Sequence, residues 1–166
     1  LSKASAPRAA AGACGGSWLK RLEVRGRAMK VVVAAALVWL GQNTAYEIPE
    51  VAPEVVVEPH SEIQRIQGVE HGEFYGFYDP DANRIVFSER VDLDTVRGRA
   101  KLVHELVHFL QDEAGFKTYR CYGETEFEAY DLQERFEESR GLESSVNWLW
   151  VMQKYQCPPG FAPDHT

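Results

Sequence analysis

The spacing of the hydrophobic residues changes near residue 93. Before that point, two runs of aromatic and β-branched residues, at 73–79 and 84–91, flank the turn sequence Pro-Asp-Ala-Asn. This arrangement predicts a β-hairpin. A shorter apolar run at Val55–Val57, after a proline-rich lead-in, predicts a further strand, and residues 61–67 predict a brief helix.

Beyond the hairpin, apolar residues recur at three- and four-residue steps, which is the period of an α-helix. With Asp94 or Thr95 as its N-cap, the first helix is expected to stop at Gly115. Two more helices are predicted at 124–140 and 144–156. The stripe of the first helix that we expect to face the core is Val96, Ala100, Val103, Val107, Leu110 and Ala114. Strands followed by helices predict an α+β fold with the sheet on one side of the helices.

The N-terminal part carries a targeting pattern. After Met29, one lysine is followed by ten apolar residues and then by a polar stretch, which is the order of a secretory signal peptide. The run is shorter than the roughly 20 apolar residues of a membrane-spanning helix. We therefore predict a signal peptide at 29–45, cleaved after Ala45, a mis-annotated or disordered extension at 1–28, and one domain at 46–166. The alternative for the apolar run is a buried helix.

Composition and cysteines narrow the class of protein. A chain of 166 residues that is 45% hydrophobic can form one domain with a real core. A net charge of -7 argues against a nucleic-acid partner, which would require a basic face. We expect a secreted or periplasmic monomer with no stable membrane span after cleavage. In such a chain Cys121 and Cys157 would form a disulfide, whereas two free thiols are the cytosolic alternative.

The candidate chemistry lies at 102–111, which reads LVHELVHFLQ. His104 and His108 are four residues apart, so on a helix both imidazoles can converge on one zinc ion at about 2.0–2.1 Å. Glu105 lies about 100° round the helix, within reach of a water molecule beside that ion. HExxH on a helix is a metallopeptidase signature. The alternative is an ordinary amphipathic helix that carries two histidines.

A catalytic zinc site usually takes three protein ligands, so a third must come from elsewhere. The segment after His108 lacks the third histidine of the metzincin pattern, and the mature chain has no cysteine before the helix for a deformylase-type site. The next predicted helix offers Glu124, Glu126 and Glu128. Helical geometry places Glu124 and Glu128 on a charged, solvent-facing stripe and Glu126 on the side shared with Ala129. This favours Glu126 and leaves Glu128 and Glu124 as alternatives.

HELVH followed by Glu-Phe-Glu-Ala at 126–129 resembles the gluzincin branch of the zincin metallopeptidases. The short layout is similar to that of minigluzincins and of small secreted bacterial HExxH proteins, over roughly residues 70–140. The resemblance implies a zincin-like fold, in which an N-terminal hairpin or small antiparallel sheet packs on an HExxH helix, a glutamate helix and a C-terminal helix. It also implies Zn²⁺ held by His104, His108 and Glu126. Gluzincins commonly have Asp or Asn four positions after the ligand glutamate, where this chain has Tyr130, whose hydroxyl could serve as a partner of a zinc histidine.

This resemblance implies zinc-dependent hydrolysis of peptide bonds. Glu105 would take a proton from water and pass it to the leaving amine. A peptide or protein substrate would pair as an extended strand with one arm of the hairpin. The candidates for an oxyanion stabiliser are Tyr119, Tyr122, Tyr155 and His71. Two rivals are a secreted zinc protein that binds or inhibits a partner without hydrolysis and an amide hydrolase acting on a non-protein substrate; the intact Glu105 favours an enzyme.

Overall fold

The computed structural model describes residues 16–68, 74–116 and 119–158, with side chains from residue 27 onward. The fold is α+β, as the sequence predicts, with a small sheet and several helices. The elements in chain order are α1 (Gly16–Asn43), β1 (Glu54–Glu58), α2 (His60–Gln67), β2 (Gly76–Asp79), β3 (Arg84–Ser88), α3 (Val96–Glu113), α4 (Tyr122–Ser139) and α5 (Trp148–Lys154).

The sheet has three strands in the order β1-β3-β2. β2 and β3 are antiparallel, which confirms the predicted hairpin. β1 runs parallel to β3, with Glu54 opposite Arg84 and Glu58 opposite Ser88. The expectation of an antiparallel sheet is therefore wrong for one strand. The connection through α2 leads from β1 to β2, which runs in the opposite direction, and the hairpin then returns β3 in the direction of β1.

Helix α3 lies at the centre of the packing. The side chain of Thr95 accepts a hydrogen bond from the backbone N–H of Gly98 (3.0 Å), so Thr95 is the N-cap. The predicted stripe is buried at Ala100, Val103, Val107 and Leu110, whereas Ala114 lies past the helix end and is exposed. All residues from 102 to 107 are buried, because α1, α4 and β2 each pack against this helix.

Helix α1 contains the apolar run that follows Met29. From residue 27 onward, its buried side chains are Val33, Ala36, Leu37 and Leu40, which belong to the same hydrophobic core as α3. Trp39 packs edge-on against Phe136 of α4, with ring centroids 5.2 Å apart. Within the described part of the chain, no helix has the length and apolar character needed to cross a membrane. The structure thus shows a helix with one face buried here, and both the signal peptide and its cleavage after Ala45 stay predictions.

The C-terminal helices differ from their predicted bounds. α4 begins at Tyr122, two residues early, and α5 covers only 148–154. The segment before α5 forms other hydrogen bonds: the N–H of Ser145 donates to Glu137 (2.6 Å), and the side chain of Asn147 caps α5. A disulfide joins Cys121 and Cys157, the expected pair, with Cα atoms 5.7 Å apart. It ties the start of α4 to the chain that follows α5.

Candidate metal centre

The site forms where the HExxH face of α3 meets the first half of α4. His104 and His108 are one turn apart and point the same way, as expected from their spacing. Glu126 and Ala129 are one turn apart on α4, and both are buried at the contact between the helices. Because alanine has no side chain beyond Cβ, the two helices can approach closely at this level, which brings Glu126 to the histidines.

The distances among these side chains match those of ligands around one ion. The Nε2 atoms of His104 and His108 are 3.2 Å apart. Glu126 places Oε1 3.5 Å from His108 Nε2 and Oε2 3.6 Å from His104 Nε2. Zinc–ligand bonds of about 2.0–2.1 Å with tetrahedral angles give ligand-to-ligand distances of about 3.4 Å. Among the described residues, these three form the one group of at least three His, Cys, Asp or Glu side chains whose ligand atoms lie close enough together to hold a metal ion.

The two histidines are held differently. Nδ1 of His108 is 2.9 Å from Oε1 of Gln111, a carbonyl oxygen that can only accept, so Nδ1 carries the proton and Nε2 is free to bind a metal. Nδ1 of His104 is buried and has no hydrogen-bond partner. The ring of Tyr130 packs against His104 with centroids 4.4 Å apart, while its hydroxyl bonds to Tyr155. The suggestion that the Tyr130 hydroxyl supports a zinc histidine is therefore wrong.

Glu105 lies beside this group without joining it. Burial raises the pKa of the Glu105 carboxyl, while the charges of His104 and His108 act in the opposite direction. A backbone hydrogen bond from Tyr78 on β2 also stabilises the carboxylate. A buried carboxyl with a raised pKa is a stronger proton acceptor than an exposed glutamate.

Glu126 is the most buried of the three α4 candidates, with 4% of its surface exposed. Burial acts to raise its pKa, but the hydrogen bond to His104 and the charges of both histidines more than offset this, and the net pKa is lowered. The hydroxyl of Tyr122 donates to Oε1 at 2.6 Å. Burial and this carboxylate raise the pKa of Tyr122. Of the candidate oxyanion stabilisers, Tyr122 is thus already engaged with a candidate ligand.

The other two glutamates lie elsewhere. Glu124 accepts from the backbone N–H of Arg120 at 2.8 Å and pairs with its guanidinium. Glu128 is half-buried rather than part of a solvent stripe, and it accepts hydrogen bonds from Gln111, Tyr46 and Tyr119. Neither carboxylate is in the group formed by His104, His108 and Glu126.

Sequence reasoning missed Gln111 and Tyr46. Gln111 lies three residues after His108 on the same helix, so the i, i+3 spacing could have identified it as a partner. No local pattern marks Tyr46, which meets Glu128 from a distant part of the chain. His71, another candidate oxyanion stabiliser, lies outside the described residues.

A family model described as Domain of unknown function (DUF6647) matches residues 25–164. The chain belongs to this family. The matched range includes both helices of the candidate metal centre and the part of α1 that packs in the core. No curated protein and no solved structure matches the chain.

Proposed function

We propose that this protein is a zinc metallopeptidase with a zincin-like fold of the gluzincin type. The observation that carries the proposal is the arrangement of His104, His108 and Glu126, whose ligand atoms lie 3.2–3.6 Å from one another at the meeting of two helices. Two imidazoles whose Nε2 atoms lie 3.2 Å apart, beside a buried carboxylate, form a polar cluster that a cation between them would complete. Nitrogen and carboxylate donors in this number suit zinc.

In this proposal His104, His108 and Glu126 hold the ion and Glu105 carries protons. A zinc ion at this position would acidify water and polarise a carbonyl oxygen. Glu105 accepts a proton as water attacks the peptide carbonyl and then gives it to the departing amine. The raised pKa of its buried carboxyl favours the first transfer, from water to Glu105.

An extended peptide would bind along β2. β3 is flanked on both sides, so of the two arms of the hairpin only β2 has an edge free of the other described strands. The N–H of Ser88 donates to the carbonyl of Tyr75, so by the alternation of an antiparallel ladder Gly76 and Tyr78 direct their backbone groups away from β3. Because the N–H of Tyr78 donates to Glu105, a peptide would pair with Gly76 and with the carbonyl of Tyr78. The hydrogen bond between Tyr78 and Glu105 puts this edge beside the candidate base.

The disulfide supports an oxidising location for the protein, secreted or periplasmic. Disulfides persist in such compartments and are rare in the reducing cytosol. The same bond holds the chain after α5 against the start of α4, where a Cβ on Gly123 would collide with the carbonyl oxygen of Tyr155. In an exported metallopeptidase, this disulfide would therefore lie at the start of the helix that supplies Glu126.

The first experiment is the metal content of the full chain. We expect about one zinc per chain, lost in His104→Ala and in Glu126→Ala and retained in Glu124→Gln, which alters an acidic side chain of the same helix outside the group. Glu105→Gln should keep the zinc and lose cleavage of a fluorescently labelled unfolded protein. A wild-type protein that takes up no zinc when zinc is supplied would overturn the proposal. Zinc binding without any cleavage by the wild type would leave a metal site but reject the peptidase.

A further inference from the structure

We propose that Gln111 is a positioning residue, which fixes His108 in its metal-binding tautomer, and that the segment after α1 sets Gln111 through Tyr46 and Glu128. The inference rests on the proposed function only for its effect on metal binding. The hydrogen-bond chain itself is a property of the metal-free protein.

The side chain of Gln111 is fully buried and uses all of its hydrogen-bonding groups. Its amide nitrogen donates to the backbone carbonyl of Thr125 and to Oε2 of Glu128, both at 2.9 Å. Both of these partners can only accept, so the amide nitrogen must face α4. The amide oxygen then faces Nδ1 of His108 and can only accept a proton from it. Reversing the amide would place its oxygen, which can only accept, against two partners that also only accept, and is therefore excluded.

Glu128 anchors the far end of this chain. In addition to Gln111, its Oε2 accepts from the hydroxyl of Tyr46 at 2.7 Å and from the hydroxyl of Tyr119. The two tyrosine hydroxyls also contact each other. Three donors on one oxygen fix the position of the carboxylate. A chain of four side chains, Tyr46, Glu128, Gln111 and His108, thus runs from the segment after α1 to a candidate zinc ligand.

His104 provides the internal contrast. Its Nδ1 has no hydrogen-bond partner, so nothing on that nitrogen selects between its two neutral tautomers. His108 has a partner, Gln111, that permits only one of its two neutral tautomers. Partners of this kind orient metal-binding imidazoles, and their loss typically lowers metal affinity by about 10- to 100-fold.

Through Tyr46, this chain of hydrogen bonds depends on the position of the segment after α1. The segment is held by α1 itself, because the hydroxyl of Thr44 donates to the carbonyl of Leu40 at 2.8 Å and the amide of Asn43 donates to that of Trp39. Displacing this segment would remove one donor from Glu128 and loosen Gln111. Metal affinity is thereby coupled to the docking of α1.

The test begins with the metal-free full chain. Nitrogen-15 NMR at a pH where the histidines are neutral reports which ring nitrogen of His108 carries the proton. We expect the Nδ1–H form in the wild type and a mixture of the two neutral forms in Gln111→Leu, which removes the acceptor. Gln133→Leu is the matched control, since Gln133 is a buried glutamine on α4 whose amide bonds to Ser145 at 3.5 Å.

Zinc affinity, measured by competition with a chromophoric chelator, should fall about 10- to 100-fold in Gln111→Leu and by a smaller factor in Tyr46→Phe. It should be unchanged in Gln133→Leu. A His108 that keeps its proton on Nδ1 in Gln111→Leu would overturn the inference, as would an equal loss of affinity in Gln133→Leu. If the tautomer changes as expected but the wild type binds no zinc, the proposed function fails while the role of Gln111 in selecting the tautomer stands.

Discussion

Helix α4 carries two buried carboxylates on one face, and their surroundings differ. Glu126 and Glu137 are 11 residues apart, about three turns, so they point in nearly the same direction. Glu126 is 4% exposed and Glu137 is not exposed at all. The sequence gives both the same residue type on the same helix, and only their neighbours distinguish them.

Glu137 is fully supplied with donors. Its Oε2 accepts from the N–H of Ser145 at 2.6 Å, and its Oε1 accepts from the Ser145 hydroxyl at 2.7 Å and from Arg97 at 3.4 Å. Glu126 has one neutral donor, Tyr122, and otherwise faces imidazole nitrogens. The first carboxylate holds together the turn between α4 and α5; the second lies at an incomplete polar cluster that a cation would complete. Burial alone therefore does not distinguish the two carboxylates, but the number of donors around each does.

Exchanging each carboxylate for an amide should separate these two roles. Glu126→Gln is expected to lower zinc affinity by at least about 100-fold, because it removes a ligand charge. Its effect on the unfolding free energy of the metal-free protein should stay below about 1 kcal/mol, since an amide oxygen can still accept from Tyr122. Glu137→Gln should do the reverse, leaving zinc affinity unchanged and lowering the unfolding free energy by about 2 kcal/mol.

Chelator competition measures the first effect, and urea denaturation in the presence of a chelator measures the second. A Glu137→Gln protein that loses zinc as strongly as Glu126→Gln would show that the two carboxylates do not have separate roles.

The disulfide should affect the Glu126 end of α4 more than the Glu137 end. It joins Cys121 to Cys157 across 36 residues, and closing a loop of that length stabilises a fold by about 4 kcal/mol. Replacing both cysteines with serine should therefore lower the unfolding free energy by about that amount. Amide hydrogen exchange should lose protection in the first turn of α4 before the turns near Glu137, which Ser145 and Arg97 hold independently. Equal loss along the whole helix would contradict this order.

The smallest expected effect is at alkaline pH. Burial raises the pKa of Tyr155 to about 12, and the carboxylates Glu126 and Glu105 add to this. Since the fold favours the neutral phenol, this stability is complete below pH 10, the pKa of an ordinary tyrosine, and is lost as the pH rises from about 10 to about 12. Tyr155→Phe should therefore lose less stability than the wild type over this range, as measured by urea midpoints at several pH values. An identical pH dependence in the two proteins would exclude Tyr155 as a source of the effect.

Much of the fold follows from local pattern. The hairpin, α3 and its Thr95 cap were predictable because each depends on residues that are close in sequence. The parallel placement of β1 was not, because it depends on a crossover whose direction no local pattern records. The shorter α5 was missed because residues before it donate to Glu137, and a distant acceptor leaves no trace in helical periodicity.

In the candidate site, too, the features set by nearby residues were predictable and those set by distant residues were not. His104, Glu105 and His108 follow from spacing on one helix, and the rotational position of Glu126 on α4 favoured it over its neighbours. The support of His108 by Gln111 was within reach of the i, i+3 rule. The contribution of Tyr46 was not, because it requires knowing that the chain after α1 returns to α4.

The position of α1 has a consequence for the timing of biogenesis. A segment that fills the core through Leu37 and Leu40 cannot at the same moment be held in an export channel. The segment therefore cannot pass through such a channel and complete the fold at the same time. Until the helix is released, or other packing replaces it, the core surface that α1 covers would stay exposed. The same ten apolar residues would act first as an export signal and afterwards, if they are retained, as part of the hydrophobic core.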